Sequence, residues 1–293
     1  VLGNLATVET GRVFAANGPW VVRDGNVLRA VMPHMLAHRV SEASYYRDLL
    51  AVIADAAGLS LDIVENPHRW EGMADIAVVG DRVVLTYAVP GHYDAATTPK
   101  SSRSSLAGVT FAADTVGAPP DARIFAELVY PHFHGDTVHF GIRAAAAANI
   151  AGKPAKLAHY SGGLWNNGSA QVVAALGAEN VLPIERGDAV DQYAGNSRQV
   201  NHGVLMPDGV SSGYQAAVEQ LGLTAHRVPL FELFGKAGGG PACATLYMPQ
   251  NLELPIDTPV RYSATKAKVQ ARRLRIPRVL RISEEYFSGK TRG

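Results

Sequence analysis

The chain has 293 residues, 47% of them apolar and 18% charged, with 27 Lys and Arg against 26 Asp and Glu for a net charge of +1. That composition belongs to a globular chain of one large domain or two small ones, and it excludes disorder, fibrous structure and a global electrostatic pull toward nucleic acid or membrane. Its one cysteine, Cys243, excludes an internal disulfide framework and any metal site made of cysteines alone.

The first ten residues, VLGNLATVET, carry neither the basic region nor the apolar stretch of an export signal. With the lone thiol, this sets the expectation of a cytoplasmic protein; no apolar run reaches the ~18 residues of a membrane span. Pro19–Ala30 predicts a hairpin turning at Asp24–Gly25. Ser41–Ala57 predicts a helix with Tyr46, Leu49, Leu50, Ile53 and Ala57 on one face, Ser41 as N-cap and Gly58 as stop. A strand is expected over 61–64 and a second hairpin over 75–88, turning at Gly80–Asp81. Val89–Ser105 is long, polar and rich in Ser, Thr and Pro, as active-site lids are. Helices are expected over 104–116, 169–176 and 214–221, and strands over 128–142, 181–184, 199–206, 225–230 and 242–248.

Charge divides the chain. Residues 261–293 hold ten Lys and Arg against two acids, a net +8 that leaves −7 for the first 260. The expected organisation is one domain over 1–260 and a basic extension over 261–293, solvated or docked on the acidic body. Aromatic residues hardly interleave its charges, which argues against a nucleic-acid partner.

The strand pair, helix, strand unit recurs about five times. Polar landmarks at Asn17, Glu71, His134, Asn196 and Cys243 are separated by 54, 63, 62 and 47 residues. A period of that length fits a closed radial array better than a doubly wound sheet, with one polar residue per module converging on a central channel.

PHFHGDTVHF (131–140) is the densest cluster of chemistry-bearing side chains. In a strand, His132, His134 and Asp136 share a face. They then read as a general acid/base with a carboxylate beside it, as a metal-binding group with His139, or as a polar strand end. Cys243 follows three glycines in KAGGGPACATLYMP, a loop that lets the backbone approach a cavity closely; a lone cysteine is otherwise an ordinary buried apolar residue. Glu71 in RWEGMADIAVV and Asn17 in VFAANGPW are weak signals singly.

Together, the segments VFAANGPWV, WEGMADIAVVGDRV, LVYPHFHGDTVHF and GGGPACATL resemble, in order and spacing, the guanidino-group-modifying enzymes: arginine deiminase, dimethylarginine dimethylaminohydrolase, arginine dihydrolase and the amidinotransferases. The resemblance covers roughly residues 11–250. It implies the pentein fold, a five-bladed α/β propeller over residues 1–260 with its active site in the central channel. Cys243 matches the family nucleophile and His134 the general acid/base. Asp136 matches a guanidinium-binding carboxylate and Glu71 the second carboxylate. Arg39, in AHRVSE, resembles the arginine that holds a substrate carboxylate, and Arg103 in the lid offers a similar charge. Several relatives have Asp where this chain has Asn17, and an upstream Asp where it has Gly11; Asn at the first position is similar to the arginine dihydrolases. Gly135 replaces a bulkier residue.

The implied chemistry suits these groups. A guanidinium must be desolvated and held flat by carboxylates, attacked by a thiolate perpendicular to its plane, and protonated at the departing nitrogen. The expectation is a hydrolase acting through a covalent Cys243 thiouronium on a small, carboxylate-bearing guanidino substrate. It needs no cofactor or metal and no membrane or nucleic-acid partner, and it is compatible with a homo-oligomer. The runner-up is an amidinotransferase. Other classes are a metallo-hydrolase using His132, His134, Asp136 and His139, and a non-catalytic pentein that binds a partner through its tail.

Overall fold

The computed structural model describes residues 15–90, 92, 103–142, 155–229, 239–249 and 252, and the backbone of 260–261 and 273–274. Within them one unit appears four times: an antiparallel hairpin, a helix, and a third strand parallel to the second. The first module is β1 (Trp20–Asp24), β2 (Val27–Met32), α1 (Glu42–Ala57) and β3 (Ser60–Glu65). The second is β4 (Ile76–Val79), β5 (Arg82–Tyr87), α2 (Leu106–Thr115) and β6 (Arg123–Glu127). The third is β7 (His139–Ile142), β8 (Lys156–His159), α3 (Gly168–Leu176) and β9 (Val181–Pro183). The fourth is β10 (Arg198–Val200), β11 (Gly203–Pro207), α4 (Ser212–Glu219) and β12 (Thr224–Val228). A short antiparallel pair, β13 (Val260–Arg261) and β14 (Arg273–Leu274), lies beyond them.

Local chemistry explains the boundaries. Helix α1 buries Tyr46, Leu50 and Ala54, spaced one turn apart, and stops where Gly58 turns left-handed (φ 65°) and its N–H bonds back to Ala54 and Asp55. Ser41 makes no side-chain cap, contrary to expectation. Ser105 and Ser211 do cap α2 and α4, accepting from the N–H groups of Gly108 and Tyr214.

Three expected strands come out differently. Leu128–Ile142 is not one strand: β6 ends at Glu127, a 3-10 turn occupies Gly135–Thr137, and β7 begins at His139. Periodicity cannot register that turn, because apolar residues flank it on both sides. Gln199–Met206 is a hairpin, with Asn201 at φ 50° making the turn. Ala242–Met248 is no strand: Ala244 and Thr245 donate to the carbonyls of Gly240 and Ala242, a turn that ladder pairing cannot accommodate.

The modules pack edge to edge around a common axis. Trp20 and Val31 of the first module meet Trp70, Val83 and Leu85 of the second. Ala77, Val84 and Ile124 of the second meet Val138, Leu157 and Val172 of the third. Phe140, Ile142 and Ala158 of the third meet Val204, Met206 and Tyr214 of the fourth. Leu246 and Met248, from the segment after Cys243, return to the core of the first module, and the Ala16 N–H donates to the Cys243 carbonyl at 3.0 Å. The expected fifth module falls mostly outside the described residues. So do positions 91 and 93–102 of the expected lid, residues 230–238 before Cys243, Gly11, and nearly all of the basic extension.

Candidate active site

Each described module enters its first strand through a 3-10 turn: Ala15–Asn17, Gly72–Asp75, Gly135–Thr137 and Ala194–Asn196. The polar landmarks sit in or immediately before these turns, which is why a period in sequence becomes a ring in space. Asn17 and Asn196 end theirs, Glu71 and His134 precede theirs, and Asp136 lies within one. Two glycines permit the crowding. Gly72 adopts φ +79°, and a Cβ there would lie 2.2 Å from the Gly18 carbonyl; a Cβ on Gly135 would lie 2.2 Å from Thr86 Oγ1.

Glu71 and His134 form one half of the site. His134 Nε2 lies 3.0 Å from Glu71 Oε2, with Arg103 Nη1 at 3.5 Å and Arg39 Nη1 at 3.9 Å from the same oxygen. Burial acts to raise the Glu71 carboxyl, but the His134 hydrogen bond and charge, with Arg103 and Arg39 adding theirs, outweigh it and bring its pKa down to about 2. A carboxylate only accepts, so Nε2 carries the hydrogen of that bond. Asn17 Nδ2 donates to the Glu71 carbonyl at 3.0 Å, and its 3.4 Å approach to Nε2 is therefore a contact between two donors. His134 Nδ1 is buried with no partner among the described residues.

Arg39 is buried, and Glu42 accepts from its Nε and Nη2 at 2.8 and 2.7 Å. Arg103 is partly exposed and lies over the Phe133 ring, 5.0 Å from its centre. Arg103, expected in the lid as a second charge for a substrate carboxylate, lies against Glu71.

Asp136 and Cys243 form the other half. Cys243 Sγ lies 3.3 Å from Asp136 Oδ2 and 3.0 Å from Asn196 Nδ2. Asn196 uses its whole amide here: Nδ2 also donates to the Asp136 carbonyl, and Oδ1 accepts from the N–H groups of Gly240 and Cys243 at 2.9 and 3.1 Å. Burial pushes the Asp136 carboxyl above its ordinary range. Burial and the Asp136 charge push the Cys243 thiol well above its own, the Asn196 contact acting the other way. Asp136 Oδ1 is buried with no partner among the described residues.

Sequence reasoning assigned no role to Asp75, Ser104 or Arg198, and used Asn196 only as a period marker. Asp75, fully buried, accepts from Ser104 Oγ (2.5 Å), Thr86 Oγ1 (2.9 Å) and the Gly135 N–H (2.9 Å). Ser104 Oγ also accepts from the Glu71 N–H at 3.0 Å. One carboxylate thus ties the backbone around Glu71 to the His134–Asp136 turn. Its position four residues after Glu71 is a signal only to a reader who already knows that a turn begins there.

The histidine cluster does not converge. His134 faces Glu71, Asp136 faces Cys243, and His132 Nδ1 lies 3.1 Å from Thr137 Oγ1. His139 is buried beside His159, with ring centres 5.7 Å apart. Among the described residues no three His, Cys, Asp or Glu side chains gather as a cation would require, and no helix is long and apolar enough to cross a membrane.

The described modules are those of the pentein fold, and solved structures of that fold superpose on the chain. The arginine dihydrolase ArgZ, of the ornithine–ammonia cycle in cyanobacteria, matches with a TM-score of 0.61 at 21% identity, covering 80% of this chain and 33% of that one. The N-terminal domain of ArgZ, as a cysteine-to-serine mutant bound to substrate, matches with a TM-score of 0.62 at 21% identity over 82% of this chain and 77% of that one. DDAH from Pseudomonas aeruginosa, complexed with citrulline, matches with a TM-score of 0.53 at 17% identity over 80% and 76%. The chain thus spans about a third of full-length ArgZ and about three quarters of its N-terminal domain. No family model and no curated protein sequence matches it.

Proposed function

We propose that the chain is a hydrolase acting at a guanidino carbon, with Cys243 as covalent nucleophile. One observation carries the reading: the only thiol in the chain lies 3.3 Å from a buried carboxylate oxygen, on the turn whose preceding residue is a buried imidazole held by a second carboxylate. ArgZ and DDAH, proteins of the same fold, supply the analogy for substrate class, having been observed with substrate and with citrulline respectively.

The two halves divide the work. Without a ligand, the Cys243 thiol is protonated and donates to Asp136. A planar cation bound at Asp136 takes over that carboxylate's charge, removes the influence that holds the thiol proton on, and lets that proton pass to His134, which leaves the thiolate. Asn196 Nδ2 stays in place to donate to the sulfur anion. Attack at the guanidino carbon forms the C–S bond. His134 protonates the departing nitrogen, and ammonia leaves the thiouronium adduct. His134 then takes a proton from water as water's oxygen bonds the same carbon, and the C–S bond breaks to return the thiolate. The product's proton restores the thiol and the proton on His134 leaves with the ammonia, so the cation and one water are consumed and one ammonium and a neutral ureido product remain. Glu71, committed to His134, Arg103 and Arg39, orients the imidazole. Arg103 is the cation we assign to a substrate carboxylate, since Glu42 engages the Arg39 fork.

Exposure to a haloacetamidine tests the nucleophile: a mass increase confined to the peptide bearing Cys243 is expected, and labelling elsewhere overturns the assignment. Incubation with arginine, with and without an amine acceptor, separates the reactions. Ureido product or ornithine and ammonia support hydrolysis, whereas an amidinated acceptor supports the amidinotransferase reading.

A further inference from the structure

Behind Asp136 lies a cavity of about 30 Å³, lined by Asp136, His139, Arg198, Ala242, Tyr247 and Ala77 among others. It is lined by residues of both β4 and β7, which pack directly against each other, and borders the residue before Cys243. A volume of that size holds one or two waters, provided the walls offer polar partners.

The walls do. His139 opens β7, pairs in register with His159 of β8, and is 2% exposed. Neither of its ring nitrogens has a partner among the described residues, and neither has Asp136 Oδ1. Burial holds the His139 pKa well below its ordinary value, so the ring is neutral near pH 7, with one donor and one acceptor to satisfy. A buried imidazole with both nitrogens unmet is costly. The neighbouring rings each hold a partner of their own, His159 Nε2 bonding Ser169 Oγ and His132 Nδ1 bonding Thr137 Oγ1, while His159 Nδ1 has none among the described residues. A metal ion is the wrong occupant, because the Arg198 guanidinium lines the same space. An anion is equally wrong beside Asp136. Water gives and accepts hydrogen bonds at once, as the neutral ring and the carboxylate together demand.

We propose that this cavity is a built-in water site, in which a buried water bridges the His139 imidazole to Asp136 Oδ1 and makes His139 a positioning residue for the carboxylate that contacts the nucleophile. The positioning role rests on the guanidino-hydrolase reading; the water site does not.

A high-resolution crystal structure of the whole chain is the first test. A water about 3 Å from a His139 nitrogen and from Asp136 Oδ1 is expected, and a dry cavity overturns the site. The second test compares Cys243 alkylation by chloroacetamidine, a planar cation that needs Asp136, with alkylation by neutral iodoacetamide. His139→Phe removes both nitrogens and is expected to lower the ratio of the two rates by about tenfold. His139→Gln, which keeps a donor and an acceptor, is expected to restore it to within about threefold. Ala77→Val, which narrows the cavity from the opposite wall, is expected to act like His139→Phe and serves if that variant does not fold. A ratio unchanged in His139→Phe, or in Ala77→Val where it stands in, overturns the positioning role. A wild-type protein with no preference for the cationic reagent instead overturns the guanidinium-binding reading, and the crystallographic water still decides the site.

Discussion

The two halves of the site are built on opposite electrostatic principles. Around Glu71 every charge has a partner: His134, Arg103 and Arg39 converge on one carboxylate, and Glu42 engages the fork of Arg39. Its pKa falls to about 2 despite complete burial. Around Cys243 the charges are unfinished. Asp136 is buried with one oxygen unpartnered among the described residues, and both it and the thiol are pushed upward. The first half is a settled scaffold that fixes an imidazole. The second sets a buried carboxylate beside a buried thiol, with the Arg198 charge acting on both.

The strongest way to break this contrast is Cys243→Ser. If the second half does the chemistry, turnover of any guanidino substrate falls by at least about 10⁴-fold, since no second thiol exists to substitute. Steady-state ammonia release measures it, and residual activity near wild type removes the nucleophile from the account. Asp136→Asn sharpens the contrast further by moving two readouts in opposite directions. The Asp136 charge helps hold the thiol proton on. Its removal is expected to lower the Cys243 pKa, seen as a shift of the iodoacetamide rate–pH profile to lower pH. The same change removes the cation's anchor, and kcat/KM is expected to drop by about 10²- to 10³-fold. A thiol pKa that rises instead contradicts the description of this half.

Acid stability separates the buried histidines flanking the site from Glu71 by pH. Burial depresses the pKa values of His132 and His159 to about 4 from an ordinary 6.5. Below 6.5 the unfolded chain takes up protons that these folded rings refuse. Their contribution is therefore complete above pH 6.5 and lost as pH falls through 4, on the order of 3 kcal/mol for each ring. Glu71, ordinarily near 4.5, contributes fully above that value and loses its contribution only as pH falls toward 2. Melting temperature is expected to decline between pH 6.5 and 4, and to decline less in His132→Asn; a flat profile over that range contradicts the neutral burial of these rings.

Much of this arrangement was legible before the structure. Hairpin turns at Gly25 and Gly80 and the helical face through Tyr46 and Leu50 are local chemistry, written in the residues themselves, although Ala54 is buried with them where Leu49, Ile53 and Ala57 are only half-buried. The ring of Asn17, Glu71, His134, Asn196 and Cys243 was legible as a period, because each module delivers one turn to the centre. What escaped was anything made by turns and by non-local contacts. Alternation made a strand of 128–142 and put His132 beside His134, whereas the Gly135–Thr137 turn sends them to Thr137 and Glu71 respectively. Asp75 escaped because its partners, Thr86, Ser104 and Gly135, lie 11, 29 and 60 residues away. The engagement of Arg39 by Glu42 is only three residues distant, yet the pattern AHRVSE reads equally well as a free ligand arginine and as a local ion pair.

Asn17 sits in the half built around Glu71 and His134, and the smallest expected effect belongs to it. Its Nδ2 donates to the Glu71 carbonyl and touches the His134 ring, so it is a neutral wall on the settled side. A ureido product is also neutral. A buried amide meets such a group without stranding a charge, whereas a carboxylate there would face the Glu71 carbonyl with no proton to give. Asn17→Asp is therefore expected to slow overall turnover by about tenfold or less, while raising the fraction of product that leaves as the ureido compound, read by chromatography of the mixture over time. The rate alone does not discriminate, because any disturbance of His134 lowers it. The product ratio does: it moves only if Asn17 contacts the reacting group, and an unchanged ratio confines Asn17 to holding Glu71 in place.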